Sequence, residues 1–341
     1  MSKTIPVEKA VGMILPHDIT EIVQGNFKGP AFKKGHIIQK QDIEHLKRLG
    51  KDHIYVIAPR PDQIHEDEAA KIMAEALIGP GARAANEPQE GKITIIADCD
   101  GLLKINKDVL FRFNMLGEVM CSTLHTNIPV KQDDIIAGTR LIPLLGNRSL
   151  VDEAVRIAQS GEPVIQVKTL QRMKTGLVIT GNEVFYGRIE DRFEAVLRNK
   201  LNYYGSKIQT VKFTPDDPDR IAEAIVSCLS ERTDLIVTSG GMSVDPDDVT
   251  REGIRRAGAK DIVYGTPVLP GAMFLCAQIE HVPILGLPAC GMFHKTTVFD
   301  LILPRILSGE TIGRKEFAEL GHGGLCRGCK SCRYPICNFG K

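Results

Sequence analysis

The sequence predicts an α/β protein: a mostly parallel sheet covered by helices on both faces over about residues 172–310, a smaller α+β region before it, and a short cysteine-rich stretch after it. Three observations predict this. From Met173 to Gly309, β-prone runs alternate with stretches whose apolar residues recur with the helical period, as strand–helix–strand units require. Between Lys92 and Leu145 the runs are short and β-prone, with little helical period. Four of the nine cysteines crowd into the last sixteen residues. At 341 residues the chain is longer than one core usually organises, and a composition that is 43% hydrophobic can fill more than one.

The first sixty residues read as a small α/β unit. "KKGHIIQKQDIEHLKRLG" holds a short helix with Ile43, Leu46 and Leu49 inward, and the strand "HIYVI" follows. "DQIHEDEAAKIMAEALIG" is an amphipathic helix with Ile64, Ile72, Met73, Ala76 and Leu77 on or near one face. The Gly- and Pro-rich "GPGARAANEPQEG" breaks the chain before the β-rich part at about 92–145, and "SLVDEAVRIAQSGEP" is a connecting helix. These segments make up an N-terminal region of residues 1–165. Beyond it, strand "TGLVIT" leads to a helix through Ile189, Phe193, Val196, Leu197, Leu201 and Tyr204, then to strand "KIQTVKF". Asp217 is placed to cap the next helix, with Pro218 at its first position. Strand "DLIVTSGG", a helix from near Asp247, strands in "AMFLCAQI" and "VPILGLP", and a last helix around "VFDLILPRIL", bent at Pro304, complete the alternation.

The charge balance narrows the partners. With 43 basic and 42 acidic residues the net charge is +1, so no general field draws in nucleic acid or an anionic membrane, and neither is expected as a partner. "MSKTIPVEKA" lacks the basic start and apolar stretch of a secretory signal, and no run of about 18 apolar residues occurs. A cytoplasmic protein is expected. Cys99, Cys121, Cys228, Cys276 and Cys290 are scattered, several in apolar segments, as reduced thiols behaving like small hydrophobes would be.

In parallel sheets ligands sit outside the carboxyl ends of the strands, and "TGNEVFYG" and "SGGMSVDPDD" both fall there. Gly240 and Gly241 allow a sharp turn that brings the backbone near a ligand, and Ser239 and Ser243 add donors. Glu183, Asp245, Asp247 and Asp248 offer hard oxygens suited to Mg²⁺. Equally, Asp247 or Asp248 could simply cap a helix and oppose its dipole. No dinucleotide fingerprint, Walker A loop, nucleophile elbow or H-E-x-x-H motif is present. His294, in "GMFHKTT", reads as a surface or cap residue.

Taken in order, "TGNE", "GRIED", "TSGGMSV" with Asp248, "LPG" and "GLP" resemble the molybdopterin-binding domain family, nearest to the molybdopterin molybdenumtransferases. The resemblance is strong over about residues 172–310, while "EKAVGMIL" and the segment ending in "HIYVI" are similar to pieces of the transferases' N-terminal and linker regions. It implies a three-layer α/β/α fold that binds molybdopterin and, in the transferases, adenylylated molybdopterin with Mg²⁺, molybdate entering the dithiolene as AMP leaves. Other molybdenum-cofactor proteins and further copies of the chain are the partners it implies. Carried over by position, Thr180, Gly181, Asn182, Ser239, Gly240, Gly241, Ser243, Pro270 and Gly271 would bind the pterin, and Glu183, Asp191 and Asp248 would serve catalysis. Asn182 stands where the transferases have Asp, Phe193 replaces an Asn, and Ala289, Cys290 and Gly291 replace "GNP". Leu269 and Ala272 stand where a "KPGKP" loop has its two lysines, so point charges suited to molybdate, phosphate and AMP are missing. A non-catalytic carrier or sensor of molybdopterin is therefore the alternative to a transferase, and a nucleotide-processing enzyme on the same domain is a third reading.

Cys326, Cys329, Cys332 and Cys337 form a C-x₂-C-x₂-C-x₄-C run within residues 320–341. It is close to a ferredoxin-type run but one residue longer, with its proline before the last cysteine. One metal centre is expected there, an iron–sulfur cluster being preferred over zinc because zinc sites more often use two separated C-x₂-C knuckles. So short a tail carries few apolar residues, so metal ligation is expected to order it and the preceding domain to fold without it.

Overall fold

The computed structural model describes residues 3–23, 27–58, 60–89, 91–242 and 249–341. The chain divides into two compact units, one of residues 1–99, 104–124 and 131–167, the other of residues 100–103, 125–130 and 168–341. Among the described residues no helix is long and apolar enough to cross a membrane.

In the first unit, strands Lys3–Pro6 and His53–Val56 pair antiparallel. Helix Asp42–Arg48 contributes the fully buried Leu46 to a core with Ile5, Val7, Leu15, Ile38 and Val56. A four-stranded antiparallel sheet runs in the order Ala82–Ala84, Lys92–Ala97, Ile135–Leu141, Val119–Thr123. Helix Glu66–Leu77 buries Ala69, Ala70, Met73, Ala74 and Leu77, whereas Ile72 and Ala76 are only half-buried. Helix Arg148–Ala158 packs beside it. The stretch expected to be β-rich also contains a helix, Lys107–Asn114, started by Asn106, whose side chain accepts from the Val109 N–H at 3.2 Å. Its two buried side chains are Val109 and Phe113. Two anchors among β-prone Val and Phe residues leave a helical period too weak to read against a strand.

The second unit is built on a six-stranded sheet. Its strands are β1 (Lys174–Thr180), β2 (Lys207–Thr214), β3 (Leu235–Ser239), β4 (Lys260–Tyr264), β5 (Leu275–Ile279) and β6 (Val282–Leu287). The helices are α1 (Asn182–Phe185), α2 (Phe193–Tyr203), α3 (Pro218–Ser230), α4 (Thr250–Arg256), α5 (Val298–Leu307) and α6 (Arg314–Glu319). The sheet order is β2-β1-β3-β6-β5-β4. The pairs β2/β1, β1/β3 and β3/β6 are parallel, and β6/β5 and β5/β4 antiparallel.

Alternation along the strands makes the three layers. Leu177, Ile179, Leu235, Val237, Leu285 and Leu287 face Phe193, Leu197 and Leu201 of α2, with α5 and Phe317 of α6 in the same core. Val178, Ile236 and Ile284 face the other way, onto Ile221, Ile225 and Cys228 of α3 and Ile254 of α4. The expected α/β/α architecture is thus present. Asp217 starts α3 as its spacing predicts, accepting from the N–H groups of Asp219 and Arg220, both at 2.9 Å. The helix read from Ile189 instead begins at Phe193, and Ile189 is exposed.

Residues 320–341 belong to this unit, which corrects the expectation of a tail ordered only by metal. Phe339 is 4% exposed and joins the core on the α2–α5 face. The Tyr334 hydroxyl donates to the Asp300 carbonyl at 3.3 Å. The Leu269 N–H donates to the Gly324 carbonyl and the Cys326 N–H to the Leu269 carbonyl, both at 2.8 Å. Sparse apolar residues suffice here because a neighbouring core receives them. Phe339→Ala should therefore lower the unfolding free energy by about 3 kcal/mol, while Ile336→Ala, at a side chain 86% exposed, should leave it unchanged. Equal midpoints for the two variants in denaturant titration would mean that these residues only drape over the core.

Candidate functional site

Because β1, β2, β3 and β6 run parallel, their carboxyl ends share one edge, where Thr180 lies opposite Thr214 and Ser239 is flanked by Ile179 and Leu287. Thr180 is 4% exposed. Its Oγ1 donates to the Ser239 carbonyl at 3.1 Å and lies 3.0 Å from Oγ1 of Thr250, the first residue of α4. Gly240 and Gly241 follow with φ of +88° and +54°. A Cβ on Gly240 would lie 2.3 Å from the Thr180 carbonyl oxygen, and one on Gly241 2.4 Å from Thr250 Oγ1. The pair makes the sharp turn expected of it, and protein atoms fill the space a side chain would need.

Two hydroxyls at this edge are left over. Ser239 Oγ and Thr214 Oγ1 are buried and have no hydrogen-bond partner among the described residues. An unpaired buried hydroxyl costs about 1–3 kcal/mol, so each is a point where a bound polar group would gain. Thr175 Oγ1 is unpaired too, but at the other end of β1.

Gly181 precedes α1, and Asn182 is tied to the loop after β2. The Asn182 N–H donates to Asp216 Oδ2 at 2.9 Å, and the Asp216 N–H donates to Asn182 Oδ1 at 3.3 Å. Asn182 keeps the acceptor an Asp would supply without a second carboxylate beside Asp216. Glu183 is exposed. Asp191 is occupied, its two oxygens accepting from the N–H groups of Phe193 at 3.0 Å and Glu194 at 2.9 Å at the start of α2. Ser243, Asp245, Asp247 and Asp248 lie outside the described residues. Among the described residues no three His, Cys, Asp or Glu side chains are gathered to hold a metal ion, so the described carboxylates form no magnesium cage.

Pro270 and Gly271 sit in the loop between β4 and β5. Leu275 pairs with Gly286 near the end of β6, which puts this loop at the same edge. Its backbone is committed elsewhere. The Pro270 carbonyl accepts from the Val298 N–H at 3.2 Å, and Leu269 is bridged to Gly324 and Cys326. A Cβ on Gly271 would strike the Val298 side chain at 2.5 Å. The loop thus braces α5 and the C-terminal segment.

Thr214, Asp216 and Thr250 contribute to this edge and were not singled out from the sequence. "FTPDD", a strand ending in Thr and followed by turn residues, repeats the pattern of "VITGNE" and was the available signal for the first two. Behind the glycine turn, the Tyr264 hydroxyl donates to the Met242 carbonyl at 2.7 Å, and the Arg251 guanidinium stacks 4.3 Å above the Tyr264 ring.

Residues 176–308 match a family described as "Probable molybdopterin binding domain", and residues 4–58 match a domain of unknown function. The chain is 21% identical over 328 residues to the molybdopterin molybdenumtransferase of Haemophilus influenzae, covering 93% of this chain and 74% of that protein. It is 34% identical over 92 residues to a protein of Archaeoglobus fulgidus, covering 27% of this chain and 40% of the relative. A CinA-like protein of Mycobacterium tuberculosis is 33% identical over 90 residues, covering 26% and 21%. The chain thus spans less than half the length of these last two relatives. Among solved structures, the molybdopterin biosynthesis enzyme MoaB from Thermus thermophilus is 21% identical, with 40% of this chain and 98% of that chain covered and a TM-score of 0.35. Residues 176–308 thus match the molybdopterin-binding domain family, and the chain as a whole is similar to a molybdopterin molybdenumtransferase.

Proposed function

We propose that this chain binds molybdopterin, or its adenylylated form, at the strand-end edge bounded by Thr180–Glu183 and Ser239–Gly241, and that it serves molybdenum-cofactor biosynthesis as a carrier of the pterin. The observation that carries this reading is the Ser239 hydroxyl, buried and unpaired among the described residues beside the glycine turn. A pterin ring presents nitrogens and a carbonyl along its edge, and hydroxyls that both donate and accept suit such a heterocycle. Thr214 adds a second such group in the same row.

Molybdate insertion with release of AMP is the second reading. It is supported by the homology to a molybdenumtransferase and by Glu183, an exposed carboxylate at the edge. Against it stands the loop at Leu269–Ala272, where no lysine faces the charge that develops on phosphate and molybdate. Asp191, expected as a catalytic acid, is already engaged with the backbone of α2.

Ser239→Ala separates ligand binding from packing. Removing an unpaired buried hydroxyl should leave the unliganded protein as stable as before or more stable by about 1 kcal/mol. Affinity for molybdopterin in calorimetry should fall about tenfold, equivalent to about 1.4 kcal/mol. Unchanged affinity would remove Ser239 from the site, and no binding by the wild type would reject the proposal.

Given adenylylated molybdopterin, molybdate and Mg²⁺, the wild-type chain should bind the nucleotide-linked pterin but release little AMP. Leu269→Lys combined with Ala272→Lys should raise AMP release. Leu269 is held through its backbone and its side chain is 56% exposed, so the fold tolerates the change. Sustained AMP release by the wild type, followed chromatographically, would favour the transferase reading.

A further inference from the structure

The four C-terminal cysteines are not among the residues proposed to bind the pterin, and the tail is held by Phe339, Tyr334 and the Leu269 bridges. Yet all four line one cavity of about 400 Å³. Cys326 and Cys337 are half-buried and Cys329 and Cys332 exposed, and all are free thiols. We propose that this cavity is the site of a polynuclear iron–sulfur cluster, ligated by Cys326, Cys329, Cys332 and Cys337.

Geometry separates a cluster from zinc. A tetrahedral zinc holds each sulfur at about 2.3 Å, so four thiolates around one ion must stand in near contact with one another. A cubane cluster gives each thiolate its own iron, so the sulfurs surround a body instead of converging on a point. Four cysteines lining one cavity of about 400 Å³ leave room for such a body.

The surroundings favour the same occupant. Arg327, Lys330, Arg333 and Lys295 line the cavity, and their charge offsets the net negative charge of a cluster with four thiolates. Leu325, Tyr334 and Phe339 provide apolar wall. Thr296 Oγ1 lies 3.1 Å from Cys332 Sγ, a hydrogen bond of the kind that tunes the potential of a ligating sulfur. The frame is fixed at Cys326, through its N–H to Leu269, while Arg327–Lys330 form no regular element, so Cys329 is free to adjust as iron enters.

The test uses the full chain purified without oxygen, and again after incubation with iron, sulfide and a thiol reductant. About four irons and about four acid-labile sulfides per chain are expected for a cubane, with broad visible absorption that bleaches under dithionite. Cys329→Ser should lose iron, sulfide and colour while keeping its circular dichroism, because its side chain is exposed. Cys290→Ser, outside the cavity, should retain all three. One zinc per chain without sulfide would overturn the proposal, as would an iron-free protein whose four tail thiols all react with iodoacetamide after the incubation. Molybdopterin calorimetry on the same preparations keeps the two questions apart, since cluster loss and pterin loss are read separately.

Discussion

The strand-end edge depends on the Thr180 hydroxyl. It is buried, so its bonds to the Ser239 carbonyl and the Thr250 hydroxyl act where unpaired groups are costly. Through it β1, β3 and α4 are fixed to one another, and the glycine turn packs against its carbonyl with no room for a Cβ. The two spare hydroxyls, Ser239 and Thr214, are held in place by this framework. A ligand meeting them would find them already oriented, with little ordering entropy left to lose.

The loop at Leu269–Ala272 offers no lysine, and its backbone is engaged in packing. Leu269 places its backbone between Gly324 and Cys326, and Gly271 is pressed against Val298. The loop is thus a bracket for the C-terminal residues. Leu269 and Ala272 put no lysine there to meet the charge on phosphate and molybdate, which is why the proposed binding is better supported than transfer.

What was legible in the sequence follows from how local each cause is. The cap by Asp217 with Pro218 is set by neighbours three residues apart, and the opposite burial of Leu177 and Val178 by simple alternation; both could be read directly. Ile189 fits the helical period but lies before Phe193, because Asp191 starts the helix and periodicity does not see caps. At the edge, the motifs located Thr180, Gly181 and the glycine pair, but the partners that give them meaning, Thr250 and Asp216, are 70 and 34 residues away. No sequence pattern reveals that the core shared by α2, α5 and α6 has a place for Phe339.

Burial divides the nine cysteines into chemically different groups. Desolvation pushes the Cys121 thiol up to about 12 and that of Cys228 up to about 11, and it raises Cys276 and Cys290 as well. In the folded chain these thiols stay protonated at neutral pH and resist oxidation and metal. Unfolding releases the buried ones to ionise near 9.0, so below that pH they do not alter stability. As pH rises from there toward the folded values, the unfolded chain loses protons the folded chain keeps, and stability falls. The tail cysteines border a cavity lined with cations instead. The proposed cluster site is thus set apart from the core cysteines, at a cavity whose cations would offset the charge of its ligands.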